Sequence, residues 1–176
     1  WNELFLTAIA FITQKTLQLE TFPKLKHKRI ESLCKDMRLD MAILVRSLWY
    51  FLGEHKKSFI PSMIGPFLEV ALIPMLSIRQ NTIIIFFDMF YFCSDYTIIR
   101  NEVITKLDSL VTAGKGDLQF RHLFESSLLS YCENHPQKFQ EDCAKFVQEI
   151  SQQIEKLLVY REVVRSDDST ESLMSC

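Results

Sequence analysis

From Trp1 to Leu19 the apolar residues Trp1, Leu4, Phe5, Ala8, Ile9 and Ile12 recur every three or four positions, which places them on one face of a helix. The stretch "ETFPKLKHKR" interrupts this pattern, because Pro23 restricts Phe22 to extended geometry while itself suiting a first helical turn. A second stripe follows. Ile30, Leu33, Met37, Met41, Leu44, Val45, Leu48 and Leu52 lead to Gly53 and predict a single helix of roughly thirty residues. In "HKKSFIPSMIGPFLEVALIPM" the prolines Pro61, Pro66 and Pro74 exclude a central strand, since each removes a ladder donor. Pro61 fits a helix's first turn and Pro74 ends the helix, while Pro66 either kinks it or moves its start to Gly65.

Residues 78–93 read as a buried helix, although the Ile-rich start of "TIIIFFDMFYFC" also has strand propensity. Length favours helix, because the apolar pattern continues to Phe92. Ser94 or Asp95 caps the next element, which carries Ile98, Ile99, Val103, Ile104, Leu107 and Leu110. Gly114 or Gly116 closes it, and Asp117 caps a helix bearing Phe120, Leu123, Phe124 and Leu128 until Pro136 in "ENHPQ". The last helix runs to about Val164 with Phe139, Cys143, Phe146, Val147, Ile150, Ile154, Leu157 and Leu158 on its inner face. The expected fold is all-α: about seven antiparallel helices stacked as armadillo- or HEAT-like hairpins, with a closed helical bundle as the alternative. No clean repeat of about 40 residues is visible, so helix order and length carry that reading. Residues 1–165 form the helical segment, and the polar, aperiodic "SDDSTESLMSC" at 166–176 reads as a flexible connector.

Composition narrows the functional classes. With 176 residues and 48% hydrophobic residues the chain fills one ordinary domain core, and only four glycines and five prolines are available to interrupt long helices. Formal net charge is −2 from 20 basic and 22 acidic residues, so no overall field favours nucleic acid or an anionic membrane, and any such binding has to be local. The apolar window at 82–93 is shorter than the ~20 residues of a membrane span and contains Asp88. The chain opens on Trp1 without a basic-then-apolar leader, and it reads as a segment of a longer protein. Cys34, Cys93, Cys132, Cys143 and Cys176 are widely spread, and all five are expected to be reduced intracellular thiols.

Candidate chemistry is sparse. "LVTAGKGDLQF" places Lys115 between two glycines, but a Walker loop needs glycine where Ser109 stands and Ser or Thr where Gly116 stands. Asp117 would also repel a phosphate, so the stretch reads as helix punctuation. Cys132, His135 and Cys143 come nearest to a metal set, yet they straddle a proline break and lack a second pair. Neither a nucleophile elbow nor an acid–base carboxylate pair is present, so no catalytic, cofactor or metal residue is assigned. His27 and His55 read as exposed. The run "KLKHKR" supplies the one possible interaction surface, Lys24, Lys26, Lys28 and Arg29, in first turns where the helix dipole favours acids. These cations either meet acidic lipid or an acidic partner, or form a solvated face balanced by Glu20, Glu31 and Asp36. Asp88, flanked by Phe86, Phe87, Met89 and Phe90, is expected to point outward; a buried acid with a backbone or basic partner is the alternative.

"WNELFLTAIAFITQKTLQLETF", "LWYFLGEHKKSFIPSMIGPFLEVALIP", "IIFFDMF", "NEVITKLDSLVTAGKGD" and "EKLLVYREVV", in this order, resemble the dedicator-of-cytokinesis (DOCK) proteins, exchange factors for Rho-type GTPases. The likeness covers nearly the whole chain and is closest to the subgroup that activates Rac with engulfment-and-motility adaptors. It implies an armadillo-like scaffold between a lipid-binding region and the catalytic region, so no catalytic residue transfers to this chain. It also implies that a Rac-type GTPase and the adaptor are met through the parent protein, with intramolecular contacts to flanking domains, no nucleic acid and no cofactor. The parent is expected in the cytoplasm, recruited to the plasma membrane through other parts. "SLMSC" resembles the approach to the catalytic region, whereas "PMLSIRQNT" and "RSDDSTE" depart from the family pattern and weaken the subgroup assignment.

Overall fold

The computed structural model describes residues 1–93 and 95–174, with side chains for all of these except 167–174. Eight α-helices and three short 3-10 segments account for the described architecture, and no strand occurs among the described residues. The helices are α1 Asn2–Thr13, α2 Lys24–Leu33, α3 Met37–Phe51, α4 Ile60–Ala71, α5 Leu76–Phe92, α6 Tyr96–Thr112, α7 Leu118–Cys132 and α8 Gln137–Met174.

Helices α1, α4, α6 and α8 form one layer, and α3, α5 and α7 form the other. Helix α1 packs on α3 and α4, α5 packs on α3, α4 and α7, and α8 closes against α6 and α7. Successive antiparallel hairpins therefore stack in chain order with α1 and α8 at opposite ends, the arrangement of a helical solenoid rather than a closed bundle. Edge-to-face aromatic rings fasten the first junction: Phe5 lies 6.1 Å from Trp49 and 5.9 Å from Phe67, and Trp49 lies 5.4 Å from Phe67. At the far end, Phe90 of α5 meets Phe146 of α8 at 5.0 Å, and Phe86 meets Phe124 of α7 at 6.2 Å.

Three boundaries differ from the periodicity. Helix α1 stops at Thr13 instead of Leu19, because Gln14 adopts ψ 126° and the Gln18 amide donates to the carbonyls of Ile12 and Gln14. The single helix expected from Pro23 to Gly53 is two helices, which raises the count from seven to eight. Cys34 is extended, and the Asp36 carboxylate accepts from the Arg38 amide to cap a new start. Restarting the helix shifts its phase, so the buried stripe is Arg38, Ala42, Val45 and Trp49, while Leu33, Met37 and Leu44 are exposed. Helix α4 passes through Pro66 without a new start; the lost donor faces the carbonyl of Ser62, on the exposed side. Asp95 caps α6 by accepting from Thr97, whereas Ser94 lies outside the described residues. Helix α8 continues past Val164 to Met174, and the connector expected over 166–176 falls largely outside the described side chains.

Candidate interaction surface

Three charged residues on buried helix faces tie the layers together. Arg79, in the first turn of α5, is fully buried: its Nε donates to the Ile73 carbonyl at 2.7 Å and its Nη2 to the Leu72 carbonyl at 3.3 Å. Those are carbonyls at the end of α4 that lack helical partners. The remaining guanidinium hydrogens reach both Asp117 oxygens at 2.9 and 2.6 Å, and Asp117 also accepts from the Phe120 amide to cap α7. One side chain thus links the end of α4 and the start of α7. Burial alone pushes the Asp117 carboxyl up, but the Arg79 guanidinium and the Phe120 amide outweigh it and hold it below the ordinary carboxylate range.

Arg38 does the same work at the other end. Its guanidinium donates to Asp36 at 2.8 Å, to Glu20 at 2.9 Å and to the Gln18 side-chain Oε1 at 2.9 Å, fastening the 3-10 segments after α1 to the start of α3. Burial opposes the charge on Arg38, but the two carboxylates raise its pKa above the usual arginine value; Asp36 in turn is held down, against its own burial, by Arg38. Asp88 is buried rather than outward: Trp49 Nε1 donates to its Oδ2 at 2.7 Å, and Lys56 Nζ stands 2.8 Å from the same oxygen. The outward expectation fails because α5 is flanked by α3 and α7, so an acid on that face is largely withdrawn from water and takes Trp49 and Lys56 as partners. Sequence reasoning missed Arg38 and Arg79. The available signal was position, since Arg79 lies on the stripe of Thr82, Ile83 and Phe86, and Arg38 on that of Ala42, Val45 and Trp49.

The glycine–lysine turn holds no phosphate cradle. Gly114 (φ 89°) and Gly116 (φ 81°) both adopt the left-handed conformation, and the amides of Gly114 and Lys115 turn back to the carbonyls of Val111 and Leu110. The carbonyls of Lys115 and Gly116 point instead at the Arg161 guanidinium, at 2.9 and 3.0 Å, and Lys115 Nζ pairs with Glu69. The Gly114 and Lys115 amides and the lysine ammonium are thus spent inside the fold, and the turn joins α6 to α7 and holds α8 against them.

Cys132, at the end of α7, and Cys143, in the second turn of α8, are joined as a disulfide, which corrects the expectation of five reduced thiols. The tight turn at Pro136 sets the inner stripes of the two helices face to face and brings the sulfurs together. Cys34 is exposed and Cys93 half-buried, both free; Cys176 lies outside the described residues. His135 packs against the rings of Phe87, Tyr91 and Phe139, and no metal-ligating cluster occurs among the described residues. His55 is exposed, while His27 is half-buried and stands 3.3 Å from Glu31.

The basic run forms α2, which contributes no buried residue. Lys24, Lys26, Lys28 and Arg29 are all exposed, the first turn holds no acid, and no side chain caps the helix. Lys26 Nζ lies 3.9 Å above the Phe22 ring. Of the acids expected to balance the run, Glu20 and Asp36 are engaged by Arg38, while Glu31 remains on α2 beside His27. No described helix is long and apolar enough to cross a membrane.

Comparison with known proteins agrees with this architecture. Residues 1–127 match the family model described as the dedicator of cytokinesis (DOCK) TPR region, TPR units being stacked helical hairpins. The chain is 37% identical over 180 residues to human dedicator of cytokinesis protein 4 and 38% identical over 189 residues to human dedicator of cytokinesis protein 3, in each case across 100% of its own length. It spans only 9% of the length of either relative. The matched region is the helical one and not a catalytic one, so this chain is a non-catalytic helical segment, and it belongs to the dedicator-of-cytokinesis family.

Proposed function

We propose that the chain is a rigid spacer in a DOCK-type guanine-nucleotide exchange factor that activates Rac-like GTPases, holding lipid-binding and catalytic regions at a fixed separation. The observation that carries this reading is an open stack whose end helices keep apolar side chains outward. Val159, Tyr160 and Val163 of α8 are more than half exposed at one end; at the other, Phe51 is 79% exposed and Trp1 is half exposed. Such faces suit continuation by flanking helices of the parent protein. The buried ties of Arg38, Arg79 and Asp88 lock neighbouring hairpins and favour a stiff element. In this reading the GTPase and the engulfment-and-motility adaptor are engaged by other regions of a cytoplasmic parent, which reaches the plasma membrane through those regions.

A protein-binding module is the second reading. It is favoured by an open groove of about 860 Å³ between the start of α7 and α8, with Leu118, Leu158, Val159 and Val163 in its walls. An adaptor, an autoinhibitory segment or a GTPase would seat there. The discriminating experiment titrates the chain against Rac with and without nucleotide at micromolar concentration. The spacer reading expects no saturable binding. Binding that prefers nucleotide-free Rac would overturn it and place part of the exchange surface here, and nucleotide-independent binding would favour the module.

A further inference from the structure

We infer that α2 is a peripheral membrane contact: a short basic helix that lies on an anionic bilayer, with Lys24, Lys26, Lys28 and Arg29 at the lipid phosphates and Leu25 and Leu33 entering the interface. A ten-residue helix that buries nothing in the core and has no side-chain cap gains little from its own fold. Its first-turn lysines add like charge to the positive end of the dipole, an arrangement that an external anion relieves. Of the three acids expected to balance it, Glu20 and Asp36 are held by Arg38, and Glu31, the one acid on α2 itself, stands 3.3 Å from His27 and leaves the four cations in excess.

Leu25 is 85% exposed and Leu33 is 72% exposed. They stand two turns apart on one line of the helix with Arg29 midway between them, and Lys26 borders that line. Met37, 60% exposed, carries the apolar line to the start of α3, while the neighbouring Lys35 pairs with Asp40 at 2.9 Å. Isolated apolar tips separated by cations, on an element outside both helix layers, do not make a groove for a folded partner. They fit a fluid planar surface that admits single side chains between charged headgroups. This contact does not depend on the spacer reading, although it would orient such a spacer against the bilayer.

Each basic side chain close to an anionic surface raises partitioning about five-fold, so four together give an effect of several hundred-fold. The test is co-sedimentation of the chain with vesicles of phosphatidylcholine alone, and of phosphatidylcholine with about one-third phosphatidylserine. Binding is expected only to the second, and half-molar salt, with a Debye length of about 4 Å, should abolish it. The variant K24E/K26E/K28E/R29E should lose binding by about a hundred-fold or more while keeping its helical circular dichroism, since every altered residue is exposed. Leu25→Ser/Leu33→Ser should weaken vesicle binding without affecting retention on an immobilised glutamate polymer. Equal binding by the charge-reversed variant would overturn the inference. So would retention on the glutamate polymer without vesicle binding, which would point to an acidic protein instead.

Discussion

Asp88 is an acid with four apolar sequence neighbours, and its role follows from partners far along the chain, Trp49 and Lys56. Removing it leaves an ammonium buried without a counter-charge. Asp88→Ala should therefore lower the unfolding free energy by about 3–5 kcal/mol in urea denaturation, whereas Asp88→Asn with Lys56→Met should recover most of that loss. Recovery is expected because Asn keeps an acceptor for the Trp49 indole and Met fills the lysine's volume. The carboxylates that pair with buried arginines act on pH dependence. Asp36 and Asp117 have folded pKa values below their unfolded ones, so their stabilisation is complete above about pH 4 and is lost as pH falls through the depressed folded values. Thermal melts between pH 6 and pH 3 should show that decline, with a shallower slope for Asp117→Asn. At this scale the sequence revealed residue types but not their partners: the stripe read through Met37 and Met41 left Arg38 off the buried face, and besides Asp36 the carboxylates that hold the two arginines, Glu20 and Asp117, lie 18 and 38 residues away.

Elements were legible where a proline, glycine or capping residue spoke clearly and were misread where a continuous stripe hid a restart. The chain from Ile30 to Leu52 shows helical spacing throughout, yet Asp36 caps a new helix because its carboxylate takes the Arg38 amide and guanidinium at once. The glycine turn was legible because both glycines are conformationally required. Gly116 has φ 81°, and an added Cβ would come within 3.0 Å of Leu72 Cδ2 in the core. Gly116→Ala should cost about 1–3 kcal/mol, with the thermal midpoint falling by several degrees. Gly53 provides the contrast: it too has positive φ (54°), but nothing lies within 4 Å of an added Cβ, so Gly53→Asn should be nearly neutral because Asn tolerates that conformation. The basic surface of α2 was legible as charge, while its isolation from the core was not, since Ile30 and Leu33 read as ordinary stripe residues.

For the molecule as a whole, the order of helices along the chain is also their order in space, and this governs how it should come apart. In an open stack each hairpin is stabilised by its neighbours, so damage stays local; in a closed bundle every helix shares one core and damage spreads. Phe5 is fully buried among Trp49, Phe59 and Phe67, at the end of the stack away from α7 and α8. Phe5→Ala should cost about 3–5 kcal/mol at that junction. Under native conditions, hydrogen exchange should then accelerate in α1, in α3 and in the adjoining face of α4. Amides of α7 and of α8 up to Leu158 should keep their protection, because their packing runs through Phe124, Phe146 and the Cys132–Cys143 link. Uniform acceleration across all helices would mean that the two layers unfold as one unit. That outcome would remove the basis for treating the chain as a stack of semi-independent hairpins, and with it the argument that a spacer of this design transmits position along its length without transmitting local unfolding.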